Sequence, residues 1–333
     1  MKIENKIAIG CIVQWYEVEI AGFYVDSLLQ AIESIDNQEN IIVDFCFYMS
    51  ENFEPIDTQQ MTMGKVLDRF RDMEDRLRKT NVHCNVEYYT DKERYTIANY
   101  RRDFNDKYCD IVDVLMWGET DALIPRQTFQ IIDMLHTNNI SQNTFKWVAF
   151  FGTCKMWDES WLPIEHNEFT DKPFKEIGNN VELNDWWSLR YNMTLDEMNK
   201  FNDKVDELDV RIVNPYKFNG CGLIISSDVV KSGVNIPRSM LMVHEDTAFQ
   251  NALIRTFNGS IPQFVIKNIL LVHNRKHPRK RMYVVGEKSH GDKFHDHRKD
   301  HDWYNKVWQA DHHNYNTMYS QAKVYKWGDV IDE

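Results

Sequence analysis

The sequence predicts an α/β protein with a mostly parallel central sheet flanked by helices and a polar C-terminal extension. Three observations carry that expectation. Apolar runs of strand length alternate with segments of helical periodicity through the first 150 residues. The fourth apolar run ends in two carboxylates separated by one residue, Glu119 and Asp121. Gly and Pro are scarce, 13 and 8 in 333 residues, so the chain is ordered rather than loop-dominated. Such alternation implies parallel strands joined by crossover helices that cover both faces of the sheet.

Taken in order, KIAIGCIV from Lys6 reads as the first strand, and Ile20, Phe23, Tyr24, Leu28, Ile32 and Ile35 then recur at helical spacing. IIVDFCFY from Ile41 is the second strand. Met63, Val66, Leu67, Phe70, Met73 and Leu77 mark an amphipathic helix with a charged outer face. VEYYT from Val86 is a third strand and YTIANYRRDF from Tyr95 a third helix. Residues 111–117 form the fourth strand, RQTFQIIDMLH from Arg126 is helical, and FKWVAFFG from Phe145 is again strand-like. Residues 152–193 hold Trp157, Trp161, Trp186 and Trp187 among polar residues with little periodicity. Thr194 and Glu197 have capping-box spacing, which predicts a helix to about residue 207. GLIIS from Gly222 is a short strand, HEDTAFQNALIRTF from His244 a helix opening with acids, and QFVIKNILLV from Gln263 the last clear strand. From His273 the chain turns polar and holds eight of the twelve His; none of their spacings fits a structural zinc site, so a solvated tail is expected.

Hydrophobic and charged contents of 43% and 27% are those of a globular protein. A net charge of −12 argues against adhesion of the whole surface to nucleic acid or anionic membrane. It leaves open a local role for the basic cluster RKHPRKR at residues 275–281. The six Cys are scattered, with no CxxC, which favours a reduced, cytoplasmic setting. No apolar run is long enough to span a bilayer. The apolar stretch near the N-terminus is short and runs into Gln14, Trp15, Tyr16 and Glu17, so it reads as a strand and not a secretion signal.

The chemistry is carried by two acidic motifs. On an extended backbone residues i and i+2 share a side, so Glu119 and Asp121 can face one hard cation at the carboxyl end of a strand. In open α/β sheets ligands bind at that end. A strand-end turn with two solvated acids is the plainer alternative. In HEDTAF, Glu245 and Asp246 open a helix whose positive end favours acids, whether as caps or as a base beside an acceptor hydroxyl.

Together these features resemble a family-2-like glycosyltransferase with the GT-A fold: an N-terminal strand–helix, ETD after the fourth strand, HEDTAF in the second half, and a His after a late strand. The resemblance covers about residues 5–285. It implies that Asp121 ligates Mn²⁺ or Mg²⁺, with Glu119 standing where the family has a first Asp, and that His273 completes the metal shell, His277 being the runner-up. It implies Asp246 as catalytic base with Glu245 in support. Gln14, Trp15, Tyr16 and Glu51 lie where base and ribose would bind. Arg101 or Arg102 would face the diphosphate, unless both are solvated helix residues. Trp186, Trp187, Asn219, Gly220 and His244 fall on the acceptor side, where small residues let backbone approach the sugar and one of the two Trp would pack in the core. On this reading residues 1–125 bind the nucleotide sugar, residues 126–285 form the acceptor half of the same domain, and residues 286–333 are an extension. The implied activity is metal-dependent, inverting transfer of a sugar from a nucleotide-diphosphate sugar to a glycan or other hydroxyl. Two alternatives stay open: a DNA-modifying glycosyltransferase acting on a hydroxylated base, and a non-catalytic sugar- or nucleotide-binding protein. A pyrophosphorylase would need a Gly-rich loop after the first strand, which GCIVQWYEVE lacks.

Overall fold

A computed structural model describes residues 1–49, 62–90, 95–152, 156–157, 163–164, 194–213, 220–273 and 302–330. Its elements are β1 (Ile7–Gln14), a 3-10 turn (Trp15–Glu17), α1 (Val18–Glu33), β2 (Ile41–Met49), α2 (Met63–Arg78), β3 (His83–Thr90) and α3 (Ile97–Tyr108). There follow β4 (Val114–Trp117), β5 (Ala122–Leu123), α4 (Thr128–Ser141), β6 (Val148–Phe151), and the short pair β7 (Met156–Trp157) and β8 (Pro163–Ile164). The second half holds α5 (Leu195–Asn202), β9 (Val210–Ile212), β10 (Ile224–Ser226), α6 (Ser227–Lys231), α7 (Glu245–Phe257), β11 (Gln263–Ile266), β12 (Val272–His273), α8 (Asp302–Thr317) and α9 (Trp327–Val330).

The protein has the expected mixed α/β architecture. One sheet runs β3-β2-β1-β4-β10-β6-β11-β9, and it takes strands from both sides of residue 125. β1 is parallel to β2 and β4, and β11 to β6; β10 and β9 run antiparallel to their neighbours. β1 is buried from Ile7 to Val13, as a strand covered on both faces must be. Val66, Phe70, Met73 and Leu77 turn one stripe of α2 inward. The chain winds from β1 outward to β2 and β3, then returns through α3 to place β4 on the other side of β1. Strand order therefore reverses between β1 and β4, and such a switch opens a crevice at the carboxyl ends of the strands.

Three expectations are corrected. The apolar run from Gln263 is two strands in two sheets, because the chain turns at Lys267–Asn268. The Asn268 side chain takes up the Asp209 N–H and the Glu207 carbonyl, and β12 leaves to pair with β5. The helix begun at Thr194 has its capping box but ends at Asn202, whose side chain holds both the N–H and the carbonyl of Leu270. Residues 302–317 are no solvated tail but a docked helix, with Val307, Asp311 and Asn314 fully buried. Among the described residues no helix is long and apolar enough to cross a membrane, and Cys11, Cys46, Cys84, Cys109 and Cys221 are free thiols.

Candidate functional site

The ETD motif lies at the switch between β1 and β4. Past β4 the Gly118 N–H donates to the Gly10 carbonyl at 2.7 Å and prolongs the seam. A Cβ on Gly118 would stand 2.1 Å from the Tyr24 hydroxyl, so only glycine fits. Glu119, Thr120 and Asp121 then turn into β5, closed by the Ala122 N–H on the Glu119 carbonyl at 3.0 Å. The Thr120 hydroxyl donates to Glu17 Oε2 at 2.7 Å and fastens this turn to the one that follows β1. Asp121 is 5% exposed. β12 runs antiparallel to β5 with His273 opposite Ala122, the residue after Asp121. The His273 side chain lies outside the described residues.

Arg101 sits at the centre. It projects from α3, whose start is fixed by a capping box between Thr96 and Asn99. Its guanidinium, 2% exposed, donates to Glu119 Oε1 at 2.6 Å, to Glu245 Oε1 at 2.7 Å and to the Gly220 carbonyl at 3.1 Å, and it lies 4.8 Å from the centroid of the Trp117 ring. Burial alone would lower its pKa; the Coulomb attraction of Glu119 and Glu245 outweighs burial and keeps it charged. One cation thus joins the ETD and HED motifs. The Cys11 thiol, buried in β1, registers the same gathering of charge. Burial above all pushes its pKa up, Glu17, Glu119 and Asp121 add to this, and Arg101 opposes it.

Glu245 and Asp246 open α7. Asp246 Oδ2 accepts the Gly220 N–H at 3.1 Å, and Oδ1 accepts the Thr247 N–H at 2.7 Å. A carboxylate offers about four lone-pair sites, so these bonds orient Asp246 without saturating it. Glu245 is buried; desolvation and the neighbouring Asp246 push its pKa up to about 8 against the pull of Arg101. His244 precedes them with φ 61°, in the left-handed region. Its ring is packed by Trp308, His312 and Tyr315 of α8, and burial and His312 lower its pKa.

The structure thus joins Glu119, Arg101, Glu245, Gly220 and Asp246 in one contact network, with Asp121 near it. Gln14 ends β1 half-buried, Trp15 packs against the core, and Tyr16 lies in the adjoining 3-10 turn. Glu51, Trp186, Trp187, Asn219 and the 275–281 basic cluster, including His277, lie outside the described residues. Neither arginine is a solvated helix residue. Arg102 holds backbone: its Nε and Nη2 donate to the carbonyls of Ile236, Pro237 and Met240 at 2.9, 2.9 and 3.1 Å. The small size of Gly220 makes room for Arg101, since a Cβ there would stand 2.2 Å from Nη1. Glu17 and Asp311 escaped the sequence reading. Glu17 was legible only as an acid after a strand, and nothing in the polar pattern of α8 marked Asp311. Among the described residues no group of three or more His, Cys, Asp or Glu is placed to hold a metal ion.

No family model and no curated protein matches the chain by sequence. Solved structures resemble it at low identity. A UDP-glucose pyrophosphorylase complexed with UDP-glucose aligns over 79% of this chain and 90% of its own, at 8% identity and a TM-score of 0.34. An inositol-1-phosphate CTP transferase from T. maritima aligns over 86% and 98%, at 8% identity and 0.35. A mannosyltransferase from S. cerevisiae in complex with GDP aligns over 81% and 71%, at 12% identity and 0.31.

Proposed function

We propose that the chain is a metal-dependent, inverting glycosyltransferase that takes its sugar from a nucleotide-diphosphate sugar and delivers it to an acceptor hydroxyl. One observation supports this above others: two acidic motifs far apart in sequence meet across the buried Arg101 in the crevice where strand order reverses. Asp121, Glu119 and His273 suit a hard divalent cation in donor type, two oxygens and one imidazole nitrogen. The site suits it in charge, since Glu119 and Asp246 act on the Arg101 guanidinium while Glu17, Glu119 and Asp121 lie near Cys11 beside it. Mn²⁺ or Mg²⁺ held there would neutralise charge on the leaving diphosphate. Asp121 is the direct ligand on this reading; Glu119, already paired with Arg101, is the weaker donor.

The protein's own residues supply the rest. Asp246, oriented by the Gly220 and Thr247 amides, takes the proton of the acceptor hydroxyl as the new bond forms. Attack from the face opposite the leaving group inverts the anomeric carbon. Glu245 and Arg101 tie the start of α7 to α3. Calorimetry with UDP or GDP and Mn²⁺, paired with an assay for nucleotide release from UDP- and GDP-sugars, tests the reading. Asp121→Asn is expected to abolish metal-dependent nucleotide binding. Asp246→Asn is expected to keep donor affinity while losing about 10²- to 10⁴-fold in transfer. Binding without turnover in the wild type would make the protein a binding module, and unchanged binding in Asp121→Asn would remove the metal role.

A further inference from the structure

The loop that leads into Glu245 and Asp246 is gripped from two sides by buried groups of opposite charge. On one side Arg102 donates to the carbonyls of Ile236, Pro237 and Met240. On the other, Asp311 of α8 accepts the N–H groups of Leu241, Met242 and Val243, each at 2.7 Å. The cation holds carbonyls and the anion holds amides, so the backbone between them is polarised in one sense. Neighbouring bonds complete the grip: the Thr96 hydroxyl on the Leu241 carbonyl at 2.6 Å, and Asn314 Nδ2 on the Ser239 carbonyl at 2.8 Å.

The grip ends at a residue in the left-handed region. His244 adopts φ 61°, as Asn143 and Asn258 adopt 58° and 49° among the described residues, a backbone conformation uncommon outside glycine. A conformation of that kind persists only where the surroundings over-determine it. Here Trp308, His312 and Tyr315 of α8 pack the His244 ring, whose Nε2 is buried without a hydrogen-bond partner among the described residues. The His244 carbonyl accepts the Ala248 N–H at 2.8 Å and begins α7.

We propose that Arg102 and Asp311 are positioning residues that hold the 236–243 loop, and through it Glu245 and Asp246, in catalytic register, so that the C-terminal helix α8 belongs to the active-site machinery. The proposal rests on the reading of Asp246 as base. It gives Arg102 a different task from Arg101 beside it: Arg101 holds the acids by their side chains, Arg102 the backbone that delivers them.

The test uses the full chain and the nearly isosteric Asp311→Asn, which removes the charge and replaces an accepting oxygen with a donor. Nucleotide affinity, measured with UDP or GDP and Mn²⁺, is expected to stay within about threefold. Turnover of UDP- or GDP-hexoses is expected to fall about 10- to 100-fold, the scale of a small misplacement of a catalytic group. Added to Asp246→Asn, the change should cost little more, because the group it positions is already gone. Full additivity with Asp246→Asn, parallel loss of binding and turnover, or unchanged turnover would each overturn the proposal. Hydrogen exchange gives a readout independent of activity. Amides 241–248 should exchange faster in Asp311→Asn, with β1 and β4 unchanged. If the wild type turns over no nucleotide sugar, the glycosyltransferase reading fails and exchange alone decides the clamp, unchanged protection overturning it. Should Asp311→Asn not fold, Arg102→Lys, which keeps the charge but loses the fork of donors, is judged by the same measurements.

Discussion

Removing a guanidinium from water costs several kcal/mol, a cost met only by close and well-aimed partners. Arg101 has them in Glu119, Glu245 and the Gly220 carbonyl. Arg101→Met should therefore destabilise the fold by about 3–5 kcal/mol in chemical denaturation, because Glu119 loses its cation and the buried Glu245 and the Gly220 carbonyl lose their donor. Arg101→Lys should recover only part, since an ammonium lacks the planar fork that reaches all three acceptors. Glu245 adds a pH dependence. Its folded pKa, about 8, lies above its ordinary value of 4.5. The group's contribution to stability is thus complete below about pH 4.5 and lost as pH rises through about 8. Glu245→Gln should flatten the decline in melting temperature across that window, and an unchanged slope would show that Glu245 is not the group responsible. Sequence made both residues visible as charges on helices. It could not show that they pair, because the partner of each lies on a different segment, and an arginine inside a polar-looking helix has the same pattern whether it faces water, diphosphate or a buried acid.

At the scale of elements, the seam between β1 and β4 decides how closely the ETD turn approaches the sheet. Tyr24 fills the space under Gly118, and its hydroxyl is buried with no hydrogen-bond partner among the described residues. Tyr24→Phe should therefore be neutral or stabilising, since it removes an unsatisfied polar group at little change of shape. Gly118→Ala should cost about 1–3 kcal/mol by overpacking, and Tyr24→Phe in the same chain should return part of that loss in urea denaturation. Equal losses with and without the hydroxyl would mean that the backbone, not Tyr24, sets the limit. The strands that build this seam were legible because burial on both faces forces continuous apolar runs, as in IAIGCIVQ. The break between β11 and β12 was not, because the residues on either side of Lys267–Asn268 are buried in both strands and hydropathy does not change across the turn. α8 was missed for the opposite reason. Its buried residues include Asp311 and Asn314, which are inside because they bind backbone, and an apolar periodicity cannot report them.

Across the whole molecule, the net charge of −12 is not spread evenly, for acids from the turn after β4, from α7 and from the turn after β1 collect at one end of the sheet. The alternation of strands and helices made the fold class readable, and the acid motifs pointed to the end of the sheet where Glu119 and Glu245 meet Arg101. The convergence of ETD with HED was readable only through family resemblance, since no local pattern states which distant segments meet. That convergence sets up a test of the folded state as a unit. A ligand that binds only the folded chain at 100 times its Kd adds about 2.7 kcal/mol of stability. With an unfolding entropy of about 2.1 cal/mol/K per residue, a chain of this length should gain about 4 °C in Tm. The gain is expected with a nucleoside diphosphate and Mn²⁺ together and to be smaller with either alone, because each supplies charge that the other needs. It should vanish in Asp121→Asn and survive in Asp246→Asn, which separates the donor end of the crevice from the base. A shift of equal size in Asp121→Asn would place the nucleotide elsewhere on the molecule and detach the acids of the crevice from its binding.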